Sequence, residues 1–221
     1  MKIYAHRGSS GRAPEMTLAA YLAAIEDGAD GFECDVRLTS DNRIVCFHDS
    51  TTSRIADKKV RISKSSLAEL RQLTEVLLLD DLIDLAIANH KDLLIETKHP
   101  VKSRNKIENE LFELLEKKKS EISGANIKIE IISFSAISIY LLKSKIEIFK
   151  VSKYLLPALL FPSKKKFLDI TLIRRYPKLV NRFKKLRTDL YLWTVNEKRD
   201  FELAFNSGVA GVITDYPERG R

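Results

Sequence analysis

Two histidines and two closely spaced acids within the first 50 residues are the side chains of this sequence best suited to chemistry. His6 and His48 each follow a short apolar run that is typical of a β-strand. Glu33 and Asp35 lie two positions apart in another apolar run, and side chains two apart share one face of a strand. The two carboxylates are therefore expected to point the same way, where they repel each other unless a cation lies between them.

A third acid, Glu96, ends the apolar run Leu-Leu-Ile. With Glu33 and Asp35 it would supply a set of carboxylate oxygens, which suits a divalent cation such as Mg²⁺ or Ca²⁺ rather than zinc. Each acid also has a plainer interpretation, as an exposed acid near a strand end or, for Glu96, as a helix-capping residue. The apolar neighbours Phe32 and Val36 favour a buried strand and hence a metal site.

The remaining polar groups are those that cleavage of a phosphodiester needs. One proton must leave the attacking nucleophile and another must reach the departing alkoxide, and a pair of imidazoles suits these tasks. Arg7 and Lys98 place positive charge beside the acids, either to contact phosphate oxygens or to form ion pairs with the carboxylates. The other histidines lack such neighbours: His90 ends a helical run and is expected to be structural, and His99 has no assigned role.

Apolar β-branched runs alternate with amphipathic helical runs along most of the chain, which predicts a parallel sheet. We predict strands at residues 3–5, 31–37, 93–97, 127–133, within 148–156, 168–172, 190–194 and 209–214, with an extended run at 44–48. We predict helices at residues 17–27, 66–73, 79–89, 103–119, 137–142, 176–187 and 197–206. About eight strands make a compact TIM-type (β/α)8 barrel of α/β class the best interpretation, with an open doubly wound sheet as the alternative.

The composition limits the classes of protein to consider. Residues 1–221 are predicted to form a single barrel domain, because no linker-like segment divides them and 44% of the residues are hydrophobic. No apolar run approaches the roughly 20 residues of a membrane span, and no secretory signal precedes His6, so a cytoplasmic protein is expected. Cys34 and Cys46 are expected to be packed thiols.

The formal net charge is +8, with dense basic clusters at residues 164–166 and 182–185. We interpret both clusters first as solvated helix faces or loops. A basic surface also attracts anionic substrates and anionic lipid headgroups, so peripheral contact with an anionic membrane surface is a further hypothesis. Nucleic-acid binding is not expected, because the basic residues are spread along the chain without a recognised motif.

The order of these motifs resembles that of the glycerophosphodiester phosphodiesterase family. The similar segments lie at residues 6–8, 14–17, 31–36, 39–41, 48–49, 95–98, 133–134, 193–196 and 211–217. The resemblance implies a TIM-type barrel and the hydrolysis of a small glycerophosphodiester to glycerol 3-phosphate and an alcohol. The alternatives are a lysophospholipase D or sphingomyelinase D-like activity on lipid headgroups, and a non-catalytic barrel that binds anionic ligands.

The resemblance also implies roles for individual residues. His6 and His48 match the acid–base pair of the family, and Glu33, Asp35 and Glu96 match its metal ligands. Arg7 and Lys98 match the residues that contact the phosphate. Glu15 matches an acid that supports the site. Trp193 is similar to an apolar wall of the substrate pocket, and barrel packing is its other interpretation.

Two features depart from the family pattern. Met16 stands where the family usually has asparagine, and methionine lacks the hydrogen bonds of the amide. This departure is the one feature that favours the non-catalytic alternative. Residues 49–95, between His48 and Glu96, form a shorter segment than is common in the family, which predicts a more open mouth.

Overall fold

The computed structural model describes residues 1–99, 106–136, 139–140, 147–161 and 163–221. The strands in this part are β1 (Lys2–His6), β2 (Gly31–Leu38), β3 (Ile44–Cys46), β4 (Asp92–Thr97), β5 (Ile129–Ser133), β6 (Ile148–Ser152), β7 (Lys165–Asp169), β8 (Asp189–Trp193) and β9 (Gly211–Thr214). The helices are α1 (Leu18–Glu26), α2 (Leu67–Arg71), α3 (Leu79–Ala88), α4 (Lys106–Lys117), α5 (Lys119–Gly124), α6 (Leu155–Leu160), α7 (Ile170–Arg175), α8 (Lys178–Lys185) and α9 (Lys198–Ser207). Short 3₁₀ turns cover Ile62–Lys64 and Pro217–Gly220.

Eight parallel strands close into a barrel. Around the ring they run β1, β2, β4, β5, β6, β7, β8 and β9, and β9 pairs with β1 again. Strand β3 lies outside the ring and pairs antiparallel with the carboxyl half of β2, where Val36 lies opposite Cys46. The predicted TIM-type (β/α)8 barrel is confirmed, and the doubly wound sheet is wrong.

Alternate strand positions fill the inside of the barrel with large side chains. Phe167 of β7 stacks on Tyr191 of β8, with ring centroids 4.8 Å apart. The buried members of this inner cluster are Tyr4, Leu94, Ile132, Phe149, Val151, Phe167, Tyr191 and Ile213. They form a solid floor beneath the carboxyl ends of the strands, so a ligand is bound above them and not inside a pore.

Two further apolar clusters join the outside of the barrel to the helices. Cys34 and Cys46 belong to one of them, and both are free and buried, as predicted. Because side chains alternate along a strand, Cys34 faces the helices while its neighbours Glu33 and Asp35 face the inside of the barrel. The alternation around Cys34 thus turns both acids toward the same space.

Helices α1 and α2 begin at capped residues, as predicted. The side chain of Thr17 accepts a hydrogen bond from the N–H of Ala20 at 3.2 Å, and Ser66 forms a capping box with Glu69. The helix predicted at 103–119 is present as α4 from Lys106, and its first positions lie outside the described residues. Most of the helix predicted at 137–142 also lies outside them. Within the described residues, no helix has the length and apolar character needed to cross a membrane.

The strand predicted at 168–172 is misplaced. Strand β7 occupies Lys165–Asp169, and helix α7 begins at Ile170. Consecutive lysines concealed the start of β7, because charged side chains are rare in strands that are covered on both faces.

Tertiary partners make those lysines compatible with a strand. Lys166 is buried, and its ammonium group donates to the carbonyl oxygens of Ala158 and Phe161 at 2.7 and 2.5 Å. Lys165 forms an ion pair with Glu130. The interpretation of residues 164–166 as a solvated helix face or loop is therefore wrong for these two lysines, whereas the cluster at 182–185 does lie on a helix, α8.

The segment between His48 and Glu96 packs beside β3. Its apolar residues form a small cluster with that strand, made of Val45, Phe47, Ile62, Leu70, Val76 and Leu78. The side chains of His6 and His48 remain 19% and 34% exposed. Solvent therefore reaches both imidazoles, and the more open mouth stays a prediction.

Candidate active site

The predicted acids and histidines meet at one end of the barrel. His6 ends β1 beside Glu33 of β2, and Asp35 of β2 lies beside Glu96 of β4. Nε2 of His6 is 3.9 Å from Oε2 of Glu33. His48 follows β3, close enough for the charge of Asp35 to act on its pKa. The barrel thus gathers groups from separate strands at the rim where enzymes of this architecture carry their sites.

Three buried carboxylates form the centre of the cluster. One oxygen from each of Glu33, Asp35 and Glu96 lies within 4.8 Å of the others. Burial, together with repulsion from Asp35, raises the pKa of Glu33 well above its usual range and that of Glu96 to about 7. A divalent cation would offset this repulsion, and an oxygen-only ligand set suits Mg²⁺ or Ca²⁺. The residues present therefore fit the predicted metal.

Two basic side chains are paired with the same carboxylates. Nε of Arg7 lies 2.8 Å from Oδ2 of Asp35, and Nζ of Lys98 lies 2.6 Å from both Oδ1 of Asp35 and Oε1 of Glu96. Burial alone would raise the pKa of Asp35, but Lys98 and Arg7 bring it below its usual value. Of the two roles left open for these cations, the ion pairs are present, and they are compatible with phosphate contact.

The carboxylate of Asp215, which lies outside the three-acid cluster, orients His6. Nδ1 of His6 lies 2.6 Å from Oδ1 of Asp215, which also accepts a hydrogen bond from Ser10 Oγ at 2.9 Å. Asn196 Nδ2 donates to the other oxygen of Asp215 at 2.6 Å. Burial opposes ionisation of Asp215, yet the hydrogen bonds from His6, Asn196 and Ser10 lower its pKa to about 2. Asp215 is therefore ionised, and Nε2 of His6 is left to face the carboxylate cluster.

His48 is oriented in a similar way. Its Nδ1 lies 2.9 Å from Oδ1 of Asp49, and its backbone carbonyl accepts bonds from Nε and Nη2 of Arg37 at 2.9 and 2.7 Å. Burial lowers the pKa of His48, and the charge of Asp35 only partly reverses this. His48 is thus neutral near pH 7, as a proton acceptor needs to be.

A chain of ion pairs joins the loops that carry the two histidines. Glu15 accepts from Nη1 of Arg7 at 3.3 Å and from Nη2 and Nη1 of Arg54 at 2.5 and 3.0 Å. Nε of Arg54 donates to Oδ2 of Asp49 at 2.7 Å, and Asp49 in turn holds His48. Arg54 therefore connects the loop after β1 to the loop after β3.

Met16 lies in the loop after β1, next to Glu15. Its φ is +57°, in the left-handed region that asparagine and glycine tolerate better than methionine. The side chain is only 5% exposed and belongs to the cluster that also contains Cys34. Its N–H donates to the carbonyl of Arg7 at 2.9 Å. The loop is thus fixed by a backbone bond and by apolar packing rather than by an amide side chain.

The predicted pocket wall lies across the mouth from the acids. Trp193 ends β8 and packs edge to face on Phe134, with centroids 5.5 Å apart. The indole also packs against the inner barrel cluster, as the packing interpretation of Trp193 expects, and its role as a pocket wall stays a prediction. Phe134 is 42% exposed, which leaves an apolar surface at the rim beside Trp193.

The two remaining histidines have other partners. Nδ1 of His90 lies 3.1 Å from the carbonyl oxygen of Ala125, in agreement with a structural role. Nε2 of His99 pairs with the buried carboxylate of Glu108 in α4. Neither contact involves the carboxylate cluster.

Several polar residues that hold the site were given no role by the sequence. Asp49 and Asp215 had a usable signal, because each follows a strand and lies within a motif of the resemblance. Asn196 had only the second of these signals, because it lies within the motif at residues 193–196. Arg37 had neither signal, and Arg54 lies in a loop without any signal. Their roles depend on distances that only the closed barrel creates.

Comparisons with known proteins agree on one family. A model of the glycerophosphoryl diester phosphodiesterase family matches residues 6–219. A protein of Mycobacterium tuberculosis named probable glycerophosphodiester phosphodiesterase 1 is 32% identical over 253 residues, covering 98% of this chain and 90% of the relative. A glycerophosphodiester phosphodiesterase of Caldanaerobacter subterraneus is 30% identical, covering 98% of this chain and 94% of the relative.

Solved structures share the fold. A phosphodiesterase of Oleispira antarctica, solved in complex with the product sn-glycerol-3-phosphate, superposes with a TM-score of 0.82 at 24% identity and covers all of this chain and 95% of its own. A glycerophosphodiester phosphodiesterase of Thermotoga maritima gives a TM-score of 0.81 at 23% identity, covering 98% of this chain and 95% of its own. At these identities the likeness concerns the fold.

Proposed function

The chain belongs to the glycerophosphoryl diester phosphodiesterase family, and on that premise we propose that it is an enzyme that hydrolyses glycerophosphodiesters to glycerol 3-phosphate and an alcohol. One observation carries the proposal. Two histidines, each held by its own aspartate, stand beside a cluster of three buried carboxylates at the rim of the barrel. This set supplies a proton donor, a proton acceptor and ligands for a cation that could bind a phosphate.

Glu33, Asp35 and Glu96 are proposed to hold the divalent cation, either Mg²⁺ or Ca²⁺. When bound there, such an ion would offset negative charge that develops on the phosphate oxygens during cleavage. Arg7 and Lys98 add fixed positive charge beside those ligands and are proposed to contact the phosphate. Glu15 holds Arg7 in place through its carboxylate.

The environments of the two histidines support different proton tasks. His48 is neutral near pH 7 because burial lowers its pKa, so it is proposed to accept the proton of the nucleophile. His6 is the other imidazole at the rim, with Oδ1 of Asp215 2.6 Å from its Nδ1 and Oε2 of Glu33 3.9 Å from its Nε2. His6 is therefore proposed to protonate the leaving alkoxide.

A diester whose leaving group is nitrophenolate distinguishes the proton donor from the proton acceptor, because nitrophenolate departs without protonation. We expect the His6→Ala variant to lose much less activity on this diester than on glycerophosphocholine. The His48→Ala variant is expected to lose similar activity on both substrates. Equal losses for His6→Ala on the two substrates would contradict the assignment of His6 as the proton donor to the leaving alkoxide. The nucleophile is water or a neighbouring substrate hydroxyl, and a transient cyclic phosphate in the product mixture would identify the hydroxyl.

The function itself is tested with purified protein and glycerophosphocholine. We expect release of glycerol 3-phosphate with Mg²⁺ or Ca²⁺ and loss of turnover in excess chelator. Undiminished turnover in chelator, or in the His6→Ala variant, would exclude the proposed mechanism.

A lipid substrate is the second candidate, favoured by the exposed Phe134 beside Trp193 at the mouth. A lysophospholipase D or sphingomyelinase D-like enzyme needs an apolar surface there for an acyl chain. An assay of glycerophosphocholine beside a lysophospholipid separates the two, and a lipid preference above tenfold would favour the second. The non-catalytic alternative is not proposed, because the acid, base and ligand positions are all filled and lie together.

Three broader expectations complete the proposal. The charge of +8 supports peripheral contact with an anionic membrane surface. The two free, buried thiols suit the cytoplasm, where thiols remain reduced. Residues 1–221 are proposed to be one barrel domain, since the eight strands of the ring span residues 2–214.

A further inference from the structure

Helices α6 and α8 leave an apolar groove open on the outside of the barrel. The groove has a volume of about 840 Å³. Its apolar lining comes from Leu155 and Leu159 of α6, from Tyr176 and Leu179 on the other side, and from Leu186 just after α8. A groove of this composition is a candidate for contact with another apolar body.

Leucines also protrude beside the groove. Leu156 and Leu160 lie one turn apart on α6 and are 65% and 63% exposed, and Leu186 is 62% exposed. Single exposed apolar side chains are common on protein surfaces, whereas several around one groove are unusual. A peptide lying in the groove would leave Leu156 and Leu160 uncovered, because they are not part of its lining. A broad apolar phase would cover them together with the groove.

Basic side chains form a stripe along one edge of this groove. Lys178, Arg182 and Lys185 of α8 are spaced four and three positions apart, so they lie on one face of the helix. All three are exposed, and none has an acidic partner among the residues that the structure describes. Like charges at this spacing destabilise a helix, so the stripe gains from an external source of negative charge.

We propose that this surface docks the protein on an anionic lipid bilayer, with the leucines among the headgroups and the basic stripe on lipid phosphates. The docking surface consists of the groove, Leu156, Leu160 and the stripe. Exposed apolar side chains beside lysine and arginine are the combination by which peripheral helices bind such bilayers. A second copy of the chain fits less well, because it would bring two basic stripes and two charges of +8 together.

The position of the docking surface relates it to the catalytic rim. Ser152 ends β6 and Leu155 begins α6, so α6 starts at the same end of the barrel as the carboxylate cluster. Helix α8 ends at Lys185, just before β8 begins at Asp189, so the docking surface extends from that rim along the side of the barrel toward its opposite end. The assignment rests on the membrane contact proposed above and gives that contact a place on the molecule, independently of the reaction.

The test measures binding of the whole chain to vesicles of phosphatidylcholine with or without phosphatidylglycerol. Two variants are compared with the parent protein, Leu156→Ser with Leu160→Ser, and Lys178→Gln with Arg182→Gln and Lys185→Gln. We expect salt-sensitive binding to the anionic vesicles, and loss of about tenfold or more of that binding in each variant. Equal binding of the parent protein to both kinds of vesicle, or unchanged binding of either variant, would overturn the proposal.

A matched control removes three charges elsewhere, through Lys58→Gln, Lys59→Gln and Lys64→Gln. These lysines are exposed in the segment after β3, and we expect vesicle binding close to that of the parent protein. An equal loss in this control would mean that net charge alone drives binding, and would exclude the docking surface. A parent dimer that dissociates in the leucine variant would instead identify a second copy as the occupant.

Turnover of soluble glycerophosphocholine is measured for the same variants. It is expected to stay unchanged, since none of these residues lies at the carboxylate cluster. A chain that binds vesicles but has no turnover would contradict the proposed reaction while leaving the docking surface supported. Full turnover without vesicle binding would contradict the docking surface alone.

Discussion

His6 and Asp215 are 209 positions apart in the chain and 2.6 Å apart in the barrel. At the scale of single residues, the effect of Asp215 on His6 depends on the charge of the carboxylate as well as on this distance. An ionised carboxylate can only accept at Nδ1, so it fixes the orientation of the ring and the position of its Nδ1 proton. Asp215 is a positioning residue in this sense, because its effect on the substrate passes through His6.

The Asp215→Asn variant tests this dependence. The amide preserves the shape of the side chain but removes the charge that orients the imidazole of His6. We expect kcat to fall by about a hundredfold or more with little change in KM, measured with glycerophosphocholine. Asp189→Asn, an exposed acid at the opposite end of β8, serves as the control and should retain full activity. A change in KM alone would indicate that Asp215 acts on substrate binding instead.

Asp215 also predicts a pH dependence of stability. Its pKa is about 2 in the folded protein and 3.8 ordinarily, so its ionised form stabilises the fold above about pH 4. That contribution, about 1–2 kcal/mol, is lost as the pH falls through 2. The difference in the free energy of unfolding between the parent protein and Asp215→Asn should therefore shrink between pH 5 and pH 2 in urea titrations. A constant difference over that range would contradict the low pKa.

Met16 presents two opposing effects at a single position. Asparagine would relieve the strain of a positive φ, worth about 1 kcal/mol. It would also lose the burial of the methionine side chain, worth about 1.5–3 kcal/mol. We expect Met16→Asn to lower the free energy of unfolding by about 1–2 kcal/mol in urea, and Met16→Leu, which keeps the burial, to lower it less. Stabilisation by asparagine would show that backbone strain dominates.

At the scale of elements, the strands of the site are held by the sheet, whereas its loops are held by side-chain ion pairs. The strands that carry His6, Glu33 and Glu96 are held by the sheet on both sides. The loops after β1 and β3 are joined through Arg54, which is itself 47% exposed. Arg54 therefore offers a way to change the relative position of the two histidines without touching either of them.

We expect Arg54→Ala to lower kcat by about tenfold while the melting temperature changes little, because an exposed arginine contributes modestly to stability. The control is Arg54→Lys, which keeps the charge but cannot bridge two carboxylates in the same geometry. It should recover only part of the loss. If both variants keep full activity, the ion-pair chain has no influence on the histidines.

The elements also show what the sequence can and cannot predict. Most strands were predicted because apolar β-branched runs are interrupted by turns and helices. Strand β7 was misplaced because Lys165 and Lys166 are acceptable in a strand only through Glu130 and two backbone carbonyls. These partners lie on other elements, so no local pattern reveals them. Arg54 escaped notice for the same reason, whereas Glu33 and Asp35 were found from strand alternation and Glu96 from its place at the end of an apolar run.

At the scale of the whole molecule, metal binding is expected to stabilise the barrel. Glu33, Asp35 and Glu96 come from adjacent strands, and an ion that binds only the folded site raises stability by mass action. We expect the melting temperature to rise with Mg²⁺ or Ca²⁺ by several degrees and to fall again with chelator.

The Glu96→Gln variant should show a much smaller rise at the same ion concentration. Its own melting temperature without metal should be close to that of the parent protein, since one of three repelling carboxylates has been neutralised. An equal metal-dependent rise in both proteins would mean that the ion binds elsewhere.

The pairing of β9 with β1 has a consequence for the order of events during synthesis. Residues leave the ribosome in sequence, so His6 emerges long before Asp215. Until the last strand has joined the first, His6 lacks its carboxylate partner and the ring is open. A nascent chain therefore carries nearly all of its chemical groups before it has a working site, and catalysis begins only as translation of this region is completed.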